Sequence, residues 1–200
     1  MSRRATPHGA GRCPVSVQLL RASDRIATPW RNGGGITREI AAWRPGATLE
    51  EFDWRVSMAE VREAGPFSRF PGVDRVLTIV EGRLALTIEG RPSVTLTAES
   101  SPFHFPGDAA CVGEPIGGPV LDLNVMARRD CIFAEVRRIS NATLILPAAT
   151  CLLVALSPAP VVVGTSEWNL AEHDTLSLED ETGSALTARG ASVLISLSLR

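Results

Sequence analysis

The sequence predicts an all-β chain, and three observations carry the prediction. Its 200 residues include 17 glycines and 14 prolines, which punctuate short apolar runs. Those runs are rich in Val, Leu, Ile and Thr, residues that suit a pleated, half-buried surface. No segment sustains the 3.6-residue periodicity of an amphipathic helix. Short strands at regular spacing, with turns between them, indicate a sandwich or a barrel. About a dozen such runs exceed one small barrel, so two β-lobes in tandem are expected.

The opening "MSRRATPHGAGRCP" has no strand or helix pattern and reads as a disordered tail over residues 1–14. "VSVQLL" alternates weakly as a first strand. "ITREIAAW", "FDWRVSMAEV", "RVLTIVEG", "RLALTIEG" and "SVTLTA" follow, each bounded by Gly, Pro or acidic turn residues. "VEGRLALTIEG" reads as a hairpin around Glu81-Gly82. "ESSPFHFPGDAACVGEPIGGP" reads as a long turn-rich connection with one short strand, and "VLDLNVMARR" as the next strand. "ATLILPA", "CLLVAL", "APVVVG", "DTLSLED", "SALTA" and "ASVLISLSL" fill the second half. The expected organisation is a first lobe over 15–130 and a second over 131–200, dividing near Arg128–Ile139. Polar, motif-like residues concentrate in the first lobe.

Composition excludes several functions. A net charge of −2 gives no general affinity for nucleic acid. All 20 basic residues are arginines, so lysine Schiff-base chemistry is excluded, and the absence of tyrosine removes a tyrosine acid or nucleophile. Cys13, Cys111, Cys131 and Cys151 stand far apart with no C-x-x-C pair, which fits reduced thiols in a cytoplasmic protein. The arginines near the N-terminus have no apolar stretch behind them, so no export signal is expected. The longest apolar run, around "CLLVALSPAPVVV", is broken by two prolines, so no membrane span is expected either. His8, His104 and His173 are the only histidines and form no H-x-H. Neither a transition-metal site nor any other cofactor is therefore expected, and His104 reads as a packed or rim residue between two phenylalanines.

The stretch "PWRNGGGITREI" raises the functional question. Gly33, Gly34 and Gly35 let the backbone pass close to a ligand or another segment, and their N–H groups could form an anion nest. The alternative is a bulge or barrel corner that lets a strand bend. Strand alternation then sorts the polar residues by face. Thr37 and Glu39 oppose Ile36, Arg38 and Ile40; Arg55 and Ser57 oppose Trp54, Val56 and Met58; Asp122, Asn124 and Met126 oppose Leu121, Leu123 and Val125. Either these three polar stripes face solvent, as in an ordinary sandwich, or they line a barrel lumen that holds one ligand. The second reading gathers Asn32, Thr37, Glu39, Arg55, Ser57, Asp122 and Asn124 in one cavity, with Arg75 near its mouth. Arg55 and Arg75 are the residues suited to fork around a carboxylate, and Glu39 and Asp122 are their alternative protein partners. "ARRD" at Ala127–Asp130 is expected to leave the barrel at the surface.

"PWRNGGGITREI", "FDWRVSMAEVREAGPFSRFPGVDRVLTIVEG" and "LDLNVMARR", in this order and spacing, resemble the HutD/Ves family of bacterial proteins. The match is strong over Pro29–Arg129 and loose beyond, where it rests on the tryptophan of "SEWNL". The resemblance implies a cupin-type double-stranded β-helix, the RmlC-like jelly roll, here as two lobes or a bicupin. It also implies association with histidine-utilisation genes, and it brings no established reaction. The chain departs from metal-binding cupins in lacking their paired histidines.

The leading functional reading is a non-catalytic or regulatory protein that binds a small organic acid of histidine breakdown. Urocanate and N-formyl or N-formimino glutamate are the candidates that the resemblance suggests. The candidate contacts are Asn32, Gly33, Gly34, Gly35, Thr37, Glu39, Arg55, Ser57, Arg75, Asp122 and Asn124. The alternatives are a metal-independent isomerase or hydrolase using Glu39 and Asp122 as acid and base, and a structural protein with no ligand. No nucleic-acid or membrane partner is expected, and oligomerisation is left open.

Overall fold

The computed structural model describes residues 16–46, 48 and 51–200; the expected tail 1–14, with His8 and Cys13, lies outside the described residues. Strands dominate, and no α-helix occurs among the described residues. In chain order the first are β1 (Ser16–Leu20), β2 (Ala27–Pro29), β3 (Gly35–Trp43), β4 (Trp54–Val61), β5 (Gly65–Phe67) and β6 (Val73–Glu81). Next come β7 (Arg83–Ile88), β8 (Val94–Thr97), β9 (Phe103–Pro106), β10 (Cys111–Pro115) and β11 (Val120–Arg128). The second half holds β12 (Ile132–Ile145), β13 (Thr150–Ala155), β14 (Ala159–Val163), β15 (Ser166–Leu170), β16 (Thr175–Glu179) and β17 (Ala185–Leu199).

These strands build three antiparallel sheets. A 6-stranded sheet runs β2-β3-β4-β11-β6-β9, and a 4-stranded sheet runs β5-β10-β7-β8. A 7-stranded sheet runs β1-β16-β13-β17-β14-β15, with β12 also paired to β17. Several details differ from the sequence expectation. The first strand joins the sheet of the second half, with Leu19 opposite Leu176 on β16. The turn-rich connection holds two strands, β9 and β10, rather than one. "SALTA" and "ASVLISLSL" form one strand of 15 residues, β17, whose register against β12 shifts between Ser140 and Ala142. That irregularity lets the strand bend without ending.

Hydrophobic burial explains the layering. Leu77, Ile79 and Val120 from the larger of the first two sheets meet Leu84, Leu86 and Leu96 from the smaller one, so the pair encloses a common core. Leu153, Val161, Leu176, Leu186 and Leu194 fill the interior of the 7-stranded sheet. A third cluster joins the two units: Trp54, Val56, Met58, Leu123 and Val125 pack against Leu152, Val154, Val193 and Ile195. Strands β13 and β17 are thus apolar on both faces, which is why "CLLVA" and "VLISL" run without alternation. The same contact covers the outer face of β4 and β11, so their apolar residues point outward from the first unit.

Polar ties cross the same boundary. Arg138 on β12 donates to the carbonyls of Ser100, at 3.1 Å, and Ile79. Arg25 donates to the His173 carbonyl at 2.6 Å and to Thr175 Oγ1 at 2.9 Å. Asp174 accepts from the Ala22 N–H at 2.8 Å, the Ala171 N–H at 3.0 Å and Arg21 Nη1 at 2.8 Å. "ARRD" leaves the strand at the surface as expected, with Asp130 exposed and the Arg129 side chain 42% exposed, but it is tied down there. Ala127 is buried, and Arg129 meets Asp74 at 2.7 Å and Asp108 at 2.5 Å. A single guanidinium between two carboxylates holds β11 to β6 and to the turn after β9.

Candidate functional site

Strand register decides which side chains meet. Between β3 and β4, Glu39 lies opposite Ser57 and Thr37 opposite Ala59. Between β4 and β11, Ser57 faces Asn124, Ala59 faces Asp122 and Arg55 faces Met126. Between β11 and β6, Met126 faces Arg75, Asn124 faces Leu77 and Asp122 faces Ile79. Residues paired this way share a sheet face. The three polar stripes therefore adjoin, and they point into the first unit because the opposite face packs on the second.

The result is a cavity of about 730 Å³, within the range of small-molecule sites. Asn32, Thr37, Glu39, Arg55, Ser57, Arg75, Asp122 and Asn124 all line it, which brings together every non-glycine residue singled out from the sequence. Trp30, Phe67, Phe70 and Met126 add apolar wall. The polar groups did not need to face solvent, because the second unit takes the apolar side of their strands.

One of the two arginines is placed differently from the expectation. Arg55 lines the cavity as expected, with its side chain 14% exposed and its Nε meeting Glu39 Oε2 at 2.7 Å; the Glu39 side chain is 48% exposed. Arg75 is not at the mouth; it is only 5% exposed. Its guanidinium carbon lies 4.9 Å from the Phe105 ring centre, 5.5 Å from Phe67 and 5.7 Å from Phe70. Among the described residues its one hydrogen bond is from Nη1 to the Ser68 carbonyl at 3.3 Å, and Nε has no partner. Aromatic faces stabilise a cation but do not replace the hydrogen bonds it loses on burial.

Asp122 is the nearby negative charge, yet no ion pair joins it to Arg75 among the described residues. Burial, opposed in part by the Arg75 charge, pushes the Asp122 carboxyl up to about 7. Burial likewise draws Arg75 below its usual range, while Asp122 acts the other way. Asp122 Oδ1 and Asn124 Oδ1 are both buried without a hydrogen-bond partner among the described residues. Unsatisfied buried polar atoms are rare and each costs stability. Three such atoms fall on the adjoining strands β6 and β11, in residues that line one cavity.

The glycines have a different place. Gly33, Gly34 and Gly35 do not line the cavity. Asn32 Oδ1 accepts from the Gly34 N–H at 3.1 Å, and Gly33 takes a φ of +75° in this turn. A Cβ on Gly35 would lie 2.6 Å from the Glu60 carbonyl oxygen and 2.9 Å from the Trp30 ring. The run thus lets Trp30 fold across the start of β3, where its Nε1 donates to Thr37 Oγ1 at 2.8 Å. Trp30 then packs edge-to-face on Phe67, with centroids 6.1 Å apart. Phe67 and Phe70 were not singled out in advance. Their signal is the pair of aromatics spaced around "GPFSRF", between two strands that carry cavity residues.

Other candidates lie outside the cavity. His104 is exposed on β9. Among the described residues, Glu81, Glu172 and His173 form a group whose ligand-type atoms lie within 4.8 Å of one another. Both glutamates are exposed, and none of the three lines the cavity. Cys111, Cys131 and Cys151 are free thiols.

Comparison with known proteins gives the family and the fold. The HutD family model matches residues 22–196. A 21.2 kDa protein encoded in the hutC 3′ region of Pseudomonas putida is 32% identical over 167 residues, covering 82% of this chain and 87% of that protein. Protein Ves of Citrobacter koseri is 43% identical over 110 residues, covering 54% of this chain and 56% of Ves. The solved structure of HutD from Pseudomonas fluorescens SBW25 superposes with a TM-score of 0.82 at 32% identity, covering 92% of this chain and all of that one. The Lactobacillus farciminis oxalate decarboxylase shares the fold alone, with a TM-score of 0.63 at 11% identity over 95% of this chain and 87% of its own. The fold is thus all-β and cupin-like, and the chain belongs to the HutD family.

Proposed function

We propose that the chain is a metal-independent binding protein for a small carboxylate. In this reading it is a bicupin, with one cupin-like lobe over about 27–130 and a second over 131–200 that also takes in β1, and it acts in the cytoplasm. The observation that carries the reading is Arg75: a buried guanidinium that among the described residues has one hydrogen bond and no carboxylate in ion-pair contact, with a cavity before it. A charge in that position needs an anion, and a carboxylate matches a guanidinium fork. Asp122 and Asn124 offer further polar contacts, and Trp30, Phe67 and Phe70 suit an apolar or planar ligand body. Arg55 is already engaged by Glu39. The P. putida relative's place beside hutC makes acids of histidine breakdown the first to test. These are urocanate, N-formyl-glutamate and N-formimino-glutamate.

Isothermal calorimetry of the three acids tests the reading. At least one binds the native chain, and Arg75→Met weakens it by about 1.5–3 kcal/mol, the range for hydrogen bonds to a charged group. Arg38→Ala, on the opposite face of β3, leaves affinity unchanged. Equal losses in the two variants, or no binding by a folded native chain, contradict the assignment. A second reading, an isomerase or hydrolase that uses Asp122 as acid–base group, is favoured by its raised carboxyl alone. Incubating the same acids with the protein and following them by NMR decides between binding and turnover.

A further inference from the structure

The carboxylate reading of the cavity has a consequence for its charge. Arg75 and Asp122 together are neutral when both are ionised. Among the described residues the other charged or titratable groups around Asp122 add no buried spare cation. Arg55 on β4 is held by Glu39 on β3, the Cys111 thiol on β10 is pushed up by burial and stays neutral, and Arg31 lines the cavity from the loop before β3 but is exposed, where solvent screens its charge. A carboxylate ligand at Arg75 therefore brings a second negative charge beside Asp122 with one buried guanidinium to serve both. Two carboxylates forced to share such a site keep one proton between them.

We infer that ligand binding takes up a proton: Asp122 enters the complex as a neutral carboxylic acid and donates a hydrogen bond to the anion that Arg75 holds. The geometry supplies the two parts this needs. Asp122 Oδ1 is buried with no hydrogen-bond partner among the described residues, and Asp122 lines the same cavity from the strand beside Arg75. Proton balance is simple. The ligand stays a carboxylate, solvent supplies the proton, and no bond other than O–H is made. The raised carboxyl in the free protein leads in the same direction, since it starts within reach of protonation near neutral pH. Asp122 is thereby a specificity residue. A donor at that position favours an acceptor-rich anion and rejects a ligand that presents an N–H or ammonium group there.

The sign follows from linkage. Above about pH 7 the free protein has Asp122 ionised, so each binding event must add a proton, and affinity falls as pH rises. Below that pH the proton is already present and affinity is flat. N-formyl-glutamate is the probe, because it has no group that titrates between about pH 5.5 and 8.5; formate is the second probe, for the carboxylate alone. Calorimetry in buffers of unlike ionisation enthalpy should show uptake approaching one proton at about pH 8 and near zero at about pH 5.5. The dissociation constant should rise nearly tenfold per pH unit above about 7. Asp122→Asn, whose amide can donate without titrating, should bind at pH 8 about as tightly as the native chain does at pH 6, with no proton uptake. Binding by the native chain without proton uptake at pH 8 overturns this inference and leaves the carboxylate site standing. An unchanged pH slope in Asp122→Asn does the same. Failure of both probes to bind the folded native chain at pH 6 removes the carboxylate site and this inference with it.

Discussion

The two β-units use comparable strands for opposite ends. In the second, Leu153, Leu176, Leu178, Leu186 and Leu194 close the interior, and each is at most 1% exposed. In the first, the matching space is divided: Leu77, Ile79, Leu84 and Leu86 fill one part, and Arg75, Asp122 and Asn124 face the rest. The difference comes from what covers the outside. The second unit lies on the outer face of β4 and β11 and buries their Trp54, Val56, Met58, Leu123 and Val125. That external burial stabilises the strands from behind, so the inner face can hold polar groups that a single small barrel would need for its core. The plain unit supports the cavity without contributing to it.

The comparison can be broken from either side. The largest effect is expected in the packed unit. Leu153→Ala removes a fully buried side chain and should destabilise the protein by about 2–5 kcal/mol. Chemical denaturation measures this; at low denaturant the affinity for a carboxylate should stay within about twofold, because Leu153 points away from the cavity unit. A large affinity loss in fully folded Leu153→Ala would mean that the second unit shapes the site directly.

A smaller effect is expected at the junction of turn and cavity. Gly35→Ala places a methyl 2.6 Å from the Glu60 carbonyl oxygen, a fixed backbone atom. Strand and turn must shift, at a cost of about 1–3 kcal/mol. Trp30 should move with them, so a red shift or intensity change in tryptophan fluorescence is the accompanying signal. A Gly35→Ala variant with native stability and fluorescence would return the glycine run to the ligand-contact reading.

Much of this site is legible in the sequence because strand alternation has a period of two and leaves no ambiguity within a strand. Thr37 with Glu39, Arg55 with Ser57, and Asp122 with Asn124 each fall on one side, and the fold needed only to bring the strands together. Depth was not legible. Arg75 shares its face with Leu77 and Ile79, and nothing local to "DRVLTIVEG" says whether the arginine ends that face at the rim or inside it. Three aromatic rings from other segments decide it. The role of the glycines was also out of reach, since it depends on Trp30 folding back over Gly35. Long-range pairing hid the remaining details. β10 is short and interrupted by glycine, and it becomes a strand by pairing with β5 and β7 on either side. β1 reads as part of the first lobe and is recruited by β16 in the second.

The central claim is that Arg75 is placed for a ligand rather than for the fold. Its stability contribution is therefore the most direct test, measured as the free energy of unfolding of Arg75→Met without any ligand. Met fills the space among Phe67, Phe70 and Phe105 and makes favourable sulfur–aromatic contacts. Replacing a buried charge that has no ion-pair partner with an apolar side chain of similar length is neutral or stabilising. The expected result is an unfolding free energy equal to the native value or about 1–3 kcal/mol higher, with carboxylate binding weakened by about 1.5–3 kcal/mol. A loss of several kcal/mol would show that Arg75 holds the barrel together, and the account of the cavity as a carboxylate site would not survive it.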